Sequence, residues 1–366
     1  MIKLDFYDCI LYPIIGGVLI AIASSLNLYL KGRITGFSGI IYNLWSKNDS
    51  RNNPWRWSFI YGVCISAALL KIKYDYRFFD SHSVFVYSLS SIGLLTSGLF
   101  TGFGTKVANG CTSGHGVCGL PRFSKRSYLS TLFYMGVGVI VATSRYYKPF
   151  FYQNDFLIDF HKNISNNSFF IKYYDLYSFI AVSSLFFVIY ATLEVNKNKG
   201  IIIDSNKYLL SDIIIGCILG LIFGSGLAIG GMMKRSKLLG FMQLNSSWDP
   251  TLLILFGTVV IINTFTFNII IHKVERPLLN YDNSIAKSFN YDRIDLNLIF
   301  GSIMYGIGLG LSGICVGPAV GESILYFPYM ILYVLFLIIG QFLGNIYMIK
   351  FSHNLKSRDI ENELNK

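Results

Sequence analysis

Apolar residues run along this chain in blocks of about twenty, divided by short polar stretches, with no strand-like alternation inside the blocks. That is the length a helix needs to cross a bilayer. The blocks at roughly 9–30, 56–72, 83–101, 128–147, 173–193, 208–230, 250–272, 296–312 and 326–349 predict about nine spans. Two intervening pieces, 102–120 and 313–325, are glycine-rich and too short to span, and read as re-entrant or half-helical segments. The expected fold class is therefore all-α: a polytopic integral membrane protein, one membrane domain filling residues 1–366, with a polar tail at 351–366.

Composition agrees with this pattern. The chain is 53% hydrophobic and 14% charged, with a mean hydropathy of +0.49. The start, MIKLDFYDCILYP, carries two aspartates and no A-x-A cleavage site, so it is expected to lead into the first span rather than to be a removable signal. The net charge of +11 is spread over many loops, with clusters at Arg122, Lys125 and Arg126 and at Lys234, Arg235 and Lys237. Membrane lipid headgroups are the first partner for such charges, and nucleic acid is excluded because no soluble basic domain exists to bind it. Both sets of alternate loops are basic, so charge leaves orientation open; a plasma (inner) membrane is the expected location.

The unusual features recur. Sliding the chain on itself by 204 residues sets Gly16 on Gly220, Gly36-Phe37 on Gly240-Phe241, Gly102 and Gly104 on Gly306 and Gly308, Cys111 on Cys315 and Gly136 on Gly340. Two halves are predicted, 9–148 and 208–350, joined by a linking helix at 173–193. Four spans plus one linker would invert the second half relative to the first, an arrangement typical of transporters with a site between the halves.

The candidate chemistry sits in the two glycine-rich breaks. Gly102 to Gly119 reads GFGTKVANGCTSGHGVCG, and Gly306 to Gly321 reads GIGLGLSGICVGPAVG. Irregular backbone at membrane depth survives only when buried in protein or lining a cavity, and half-helix starts attract anions. Gly110, Cys111, Thr112, Ser113, Gly114 and His115 put thiol, hydroxyl and imidazole groups together, and Cys118, Cys315 and Gly317 extend the set. Residues from Ser81 to Asn154 include no Asp or Glu, nor do those from Leu296 to Val320, although Glu322 follows closely. A carboxylate-free path lined with donors suits an anion, and soft, polarizable sulfur suits a sulfur-containing one. Plainer alternatives stand beside this: glycines for close helix packing, His115 as a brace for its loop, and basic residues before Gly-Phe that snorkel to headgroups. The spacing Cys111-x3-His115-x2-Cys118 could instead form part of a metal site. Cys9, Cys64 and Cys217 lie in apolar runs and read as small hydrophobes.

At GRITGFSG (32–39), GFGTKVANGCTSGHGVCG (102–119), GLAIGGMMKRSKLLGF (226–241) and GIGLGLSGICVGPA (306–319) the chain resembles the YeeE/YedE sulfur-transport family, whose members include bacterial thiosulfate importers. The resemblance implies a two-repeat membrane fold with short broken helices, a narrow thiol-lined path, and Cys111 and Cys315 as thiols that contact substrate. It departs from the family at three places: GRITGFSG lacks the third path cysteine, the C-P-G-P motif reads Cys315-Val316-Gly317-Pro318, and Gly231-Met232-Met233-Lys234-Arg235 lacks the expected proline. The expectation is a transporter of thiosulfate or a related sulfur anion, not an enzyme, with no cofactor. A cytosolic sulfur-carrier protein is the further partner considered. No nucleotide-binding loop is present, so transport would be passive or ion-coupled. The alternatives are a membrane protein that carries persulfide on Cys111 or Cys118, and a metal transporter using Cys111, His115 and Cys118.

Overall fold

The computed structural model describes residues 6–45, 53–81, 89–148, 184, 203–246, 248–274, 277–279 and 294–364. Among these, regular structure is entirely helical. The long helices are α1 (Tyr12–Lys31), α3 (Asn53–Tyr74), α4 (Ser91–Val107), α5 (Lys125–Tyr147), α6 (Ile203–Ile229), α8 (Thr251–Lys273), α9 (Leu296–Ser312) and α11 (Tyr329–Leu364). The short ones are α2 (Phe37–Trp45), a π-helical segment Thr112–Gly119, α7 (Arg235–Met242) and α10 (Val316–Leu325). Among the described residues six stretches are long and apolar enough to cross a membrane: Tyr7–Lys31, Lys125–Tyr147, Leu210–Ile229, Thr251–Lys273, Leu296–Leu325 and Tyr329–Phe351. The protein is an all-α, multi-pass integral membrane protein.

The expected spans that fall on described residues are helical, with two adjustments. The span expected from 83 starts at Ser91, because the Ser90 hydroxyl caps the helix by accepting the Gly93 amide at 3.2 Å, and it continues through Val107. The expected polar tail begins as a continuation of α11, which runs to Leu364. The linking helix expected at 173–193 lies outside the described residues except for Ser184, which is helical and hydrogen-bonds the Tyr61 hydroxyl at 2.6 Å.

Helix pairing is reciprocal. α1 packs on α8 as α6 packs on α3, and α4 packs on α11 as α9 packs on α5. The two remaining large interfaces join α1 to α6 and α4 to α9. Glycines set these crossings. A methyl group on Gly16 would strike the backbone of Gly226 and Gly230, while one on Gly226 would meet Ile20. Gly104 lies against Gly301 and Tyr305, and Gly308 against Ser97 and Thr101. Both patterns advance along one helix while retreating along the other, so α1 and α6 are antiparallel, and so are α4 and α9. Between helices in lipid, attraction comes largely from such close van der Waals approach. The plainer alternative raised for the glycines therefore holds for Gly102 and Gly104, which are wedged against Leu337 and Tyr305.

Each short helix follows a break made the same way. A residue in the left-handed region closes the preceding long helix: Gly32 (φ 63°) after α1, Asn109 (φ 57°) after α4, Gly231 (φ 83°) after α6 and Gly313 (φ 65°) after α9. Glycine and asparagine enter that region at least cost and terminate helices for that reason. Aligning these breaks shows that the uniform 204-residue shift holds only for the later part of each half. Cys111 and Cys315 both cap the short helix that follows them. Earlier in the chain, however, Gly32 answers to Gly231 and Phe37 to Arg235. The Gly36-Phe37 and Gly240-Phe241 match is thus a coincidence of spelling.

Candidate functional site

The two break cysteines meet through their neighbours. Cys111 is the N-cap of Thr112–Gly119 and Cys315 that of α10; both are buried. The Thr112 hydroxyl lies 2.7 Å from the Cys315 thiol. The Cys111 thiol lies 3.2 Å from the Ser113 hydroxyl. The start of α2 completes the group: the Phe37 amide donates to Ser113 Oγ at 3.0 Å and the Ser38 amide to Cys111 Sγ at 3.5 Å. From α9, the Tyr305 hydroxyl accepts the Thr112 amide and donates to Thr112 Oγ1, both at 3.4 Å, and stands 3.7 Å from Cys315 Sγ. Three short-helix N-termini thus converge on a cluster of neutral donors, a setting that stabilises negative charge.

The remaining residues named from sequence divide by role. Gly114 faces open space and Gly36 approaches it across a gap that any side chain would narrow. Gly317 lies behind Cys315 against Phe37 and Leu227. His115 braces its loop: Nδ1 is 3.1 Å from Ser127 Oγ and Nε2 is 3.3 Å from the Ala108 carbonyl. Gly110 is bare because the His115 ring occupies the space of its missing side chain. Cys118 turns away from the thiol pair, with the Thr35 carbonyl 3.9 Å from its sulfur. Cys111, His115 and Cys118 therefore point at three different partners. Among the described residues no group of three His, Cys, Asp or Glu is placed to hold a metal ion.

Several supporting groups carry no clear mark in the sequence. Asn263, fully buried in α8, donates to the Val117 carbonyl at 2.9 Å and to Ser24 at 3.0 Å, tying α1 to the Thr112–Gly119 segment. Gln341 donates to the Ser38 carbonyl at 3.0 Å. Arg126 donates to the Ala108 carbonyl at 3.2 Å and lies 3.6 Å from Asp295. An amide in the middle of an apolar run is the signal that could have flagged Asn263 and Gln341, although Asn268 and Asn345 carry the same mark. Nothing in the sequence ties Tyr305 to the thiols.

Two hollows flank the cluster. On one side lies a cavity of about 580 Å3, bounded by Ser38, Gly114 and His115 at its inner end. Arg33, Arg56, Lys106, Arg122 and Arg126 bring positive charge to its wall, and no carboxylate lines it. Asp212, 3.7 Å from Arg33 and 3.2 Å from the buried Lys31, holds part of this charge from behind. On the other side Thr112, Ser113 and Cys315 open into a pocket of about 20 Å3 walled by apolar residues that include Phe37, Phe223 and Leu227. That is close to the volume of one water molecule.

Two family profiles match the chain. One described as sulphur transport covers residues 6–141, and one described as a family of unknown function covers residues 211–352. Probable transporters from two strains of Xylella fastidiosa, Temecula1 and 9a5c, are 35% and 34% identical to it over 133 residues, 36% of this chain and 92% of theirs. A further probable transporter of strain 9a5c is 34% identical over 104 residues, 28% of this chain and 68% of its own length. No solved structure matches it.

Proposed function

The chain belongs to the sulphur-transport family of membrane proteins, and on that premise we propose that it takes up thiosulfate, or a closely related sulfur anion, through a path lined by Cys111 and Cys315 in the plasma (inner) membrane. The observation that carries the reading is the 2.7 Å approach of the Thr112 hydroxyl to the Cys315 thiol, which joins the two halves at one point. The anion gathers in the cationic cavity, where clustered positive charge raises its local concentration. It passes between Gly36 and Gly114, and there exchanges water for the hydroxyls of Ser113, Thr112 and Tyr305 and for the two thiols. Neutral donors at helix starts hold an anion without trapping it as a lysine or arginine would. Polarizable thiols match a terminal sulfur better than hydroxyls alone do. The two halves, 9–148 and 208–350, each contribute one thiol, and Cys118, His115 and Gly110 keep the Cys111 segment in shape.

The test is uptake of labelled thiosulfate into proteoliposomes. Wild type is expected to accumulate label, and Cys111→Ala and Cys315→Ala are each expected to abolish uptake while reaching the membrane at normal levels. Uptake by wild type that survives in both variants overturns the thiol path; absence of uptake by wild type overturns the substrate.

A further inference from the structure

The thiosulfate path uses no carboxylate, yet one lies close to it. Glu322 is the sole acid in the stretch Leu296–Leu325 and is 2% exposed. An ionisable side chain inside a membrane segment is costly and marks function far more often than packing. We propose that Glu322, together with Asp80, is the proton-carrying site of a proton-coupled transport cycle, a proposal that rests on the anion-transport function proposed for the chain.

The groups facing Glu322 come from every neighbouring element. Arg235 at the start of α7, Asp80 in the turn after α3 and Lys71 on α3 all act on its charge. Tyr326 and, from α11, Tyr333 lie within its field. Arg145 on α5 faces Arg235. Beyond them, Lys234 faces Asp80, and Lys237, Asp8 and Arg77 act on Lys234 in turn. The two carboxylates are tied differently. Asp80, 7% exposed, accepts the Ser236 amide at 2.9 Å and the Ser236 hydroxyl at 2.5 Å, and its carbonyl accepts the Tyr326 hydroxyl at 2.8 Å. Lys71 is already held by Asp75 at 2.6 Å. This leaves Glu322 balanced chiefly by Arg235, which is also bound to the end of α9.

That link gives the proton something to move. Arg235 Nε donates to the carbonyl of Ser312, the last residue of α9. Gly313 and Ile314 follow, and then Cys315. Cys315 caps the short helix that carries Glu322, seven residues on. The two therefore lie roughly 10 Å apart along the axis. Attraction between the charges of Glu322 and Arg235 restrains α10, which packs on α3, beside the end of α9 to which Arg235 is bound. A proton on Glu322 cancels that attraction, frees α10 to shift, and with it the thiol that Thr112 touches. A metal cation is a poor alternative occupant, because it would face Arg235 and Lys71, whereas a proton removes charge from the pair.

The experiment uses the full chain in liposomes and two readouts. The first is exchange of labelled for unlabelled thiosulfate without any gradient, which reports the path alone. The second is net accumulation under an imposed pH step, acidic on the entry side, read with and without a protonophore. Wild type is expected to exchange and to concentrate thiosulfate under the pH step; one unit can support at most about tenfold accumulation per coupled proton. Glu322→Gln is expected to keep exchange and lose the gradient-driven part. Exchange in wild type with no effect of the pH step, or accumulation driven by sodium at matched pH, overturns the coupling and leaves the transport function in place. No exchange in wild type overturns both. If Glu322→Gln loses exchange as well, the deciding measurement is proton entry with thiosulfate in wild type, read by an internal pH dye, with Asp80→Asn as the second variant. Thiosulfate entry without proton entry then overturns the proposal.

Discussion

At the start of α2 the first two amides donate to Ser113 and Cys111, beside a cationic cavity that Gly36 and Ser38 line. At the start of α7 the Ser236 amide donates to the Asp80 carboxylate, and Arg235 is buried against the end of α9. The two short helices follow similar breaks, yet one mouth presents donors and the other is knitted shut by charge. The difference shows how two similar breaks can be put to different uses. On the proposed transport function, the first mouth suits an anion that must enter and leave, since neutral donors bind moderately. The second is furnished for a charge pair whose rupture is costly unless a proton compensates it. The comparison can be tested by changing matched residues at the two mouths and asking whether flux or stability responds.

The largest contrast is expected from glycine. Gly114 faces open space at the first mouth, while Gly321 at the second is packed by Met233 and lies close to Ala67 and Val63. Gly114→Leu should block the gap beside Gly36 and cut thiosulfate uptake by at least about tenfold, a barrier change of about 1.4 kcal/mol or more, with an unchanged melting temperature in detergent. Gly321→Leu should do the reverse to stability: overpacking costs about 1–3 kcal/mol and should lower the melting temperature by several degrees. Normal uptake by Gly114→Leu would remove the first mouth from the path.

Much of this division is legible in the sequence. The apolar blocks place the long helices because length alone decides what spans a bilayer. Cys111 and Cys315 stand out because each sits in a glycine-rich break rather than inside an apolar run. The short helices α2 and α7 do not stand out, since eight or nine residues carry too little periodicity to register, and the same brevity lets a false Gly-Phe match pass. The position of Tyr305 beside Thr112 is not legible, because it depends on how α9 crosses the first half, and a tyrosine in an apolar span looks like any other aromatic. Asp80 and Glu322 lie far apart in sequence, and only the packing of α3, α7 and α10 brings them into one field.

A smaller contrast is expected from two of the buried tyrosines. Tyr305 reaches Thr112 and the Cys315 thiol, whereas Tyr326 reaches the Asp80 carbonyl. Removing one neutral hydrogen bond costs about 1 kcal/mol. Tyr305→Phe should therefore raise the KM for thiosulfate by roughly fivefold, the factor that energy corresponds to, with little change in melting temperature. Tyr326→Phe should leave KM alone and lower stability by a similar energy. Kinetics and thermal unfolding on the same preparations separate the two, and equal KM shifts in both variants would erase the distinction between the mouths.

The smallest effect should come from single surface cations, where it is also the most diagnostic. Lys106 lines the first cavity, its ammonium 3.4 Å from the centre of the Tyr42 ring. Lys234 precedes α7, where burial first and Lys237 next lower its affinity for a proton. A cation that steers an anion works at a distance through water, so its effect fades once the Debye length shrinks to a few ångströms. Lys106→Gln should raise KM about two- to threefold at low ionic strength and have no effect near 1 M salt, where that length is about 3 Å. Lys234→Gln should leave KM unchanged at either ionic strength, because its charge faces Asp80 rather than the cavity. A salt-sensitive KM shift in Lys234→Gln as large as that in Lys106→Gln would mean that anions gather at both mouths, and the asymmetry would then lie in the buried groups alone.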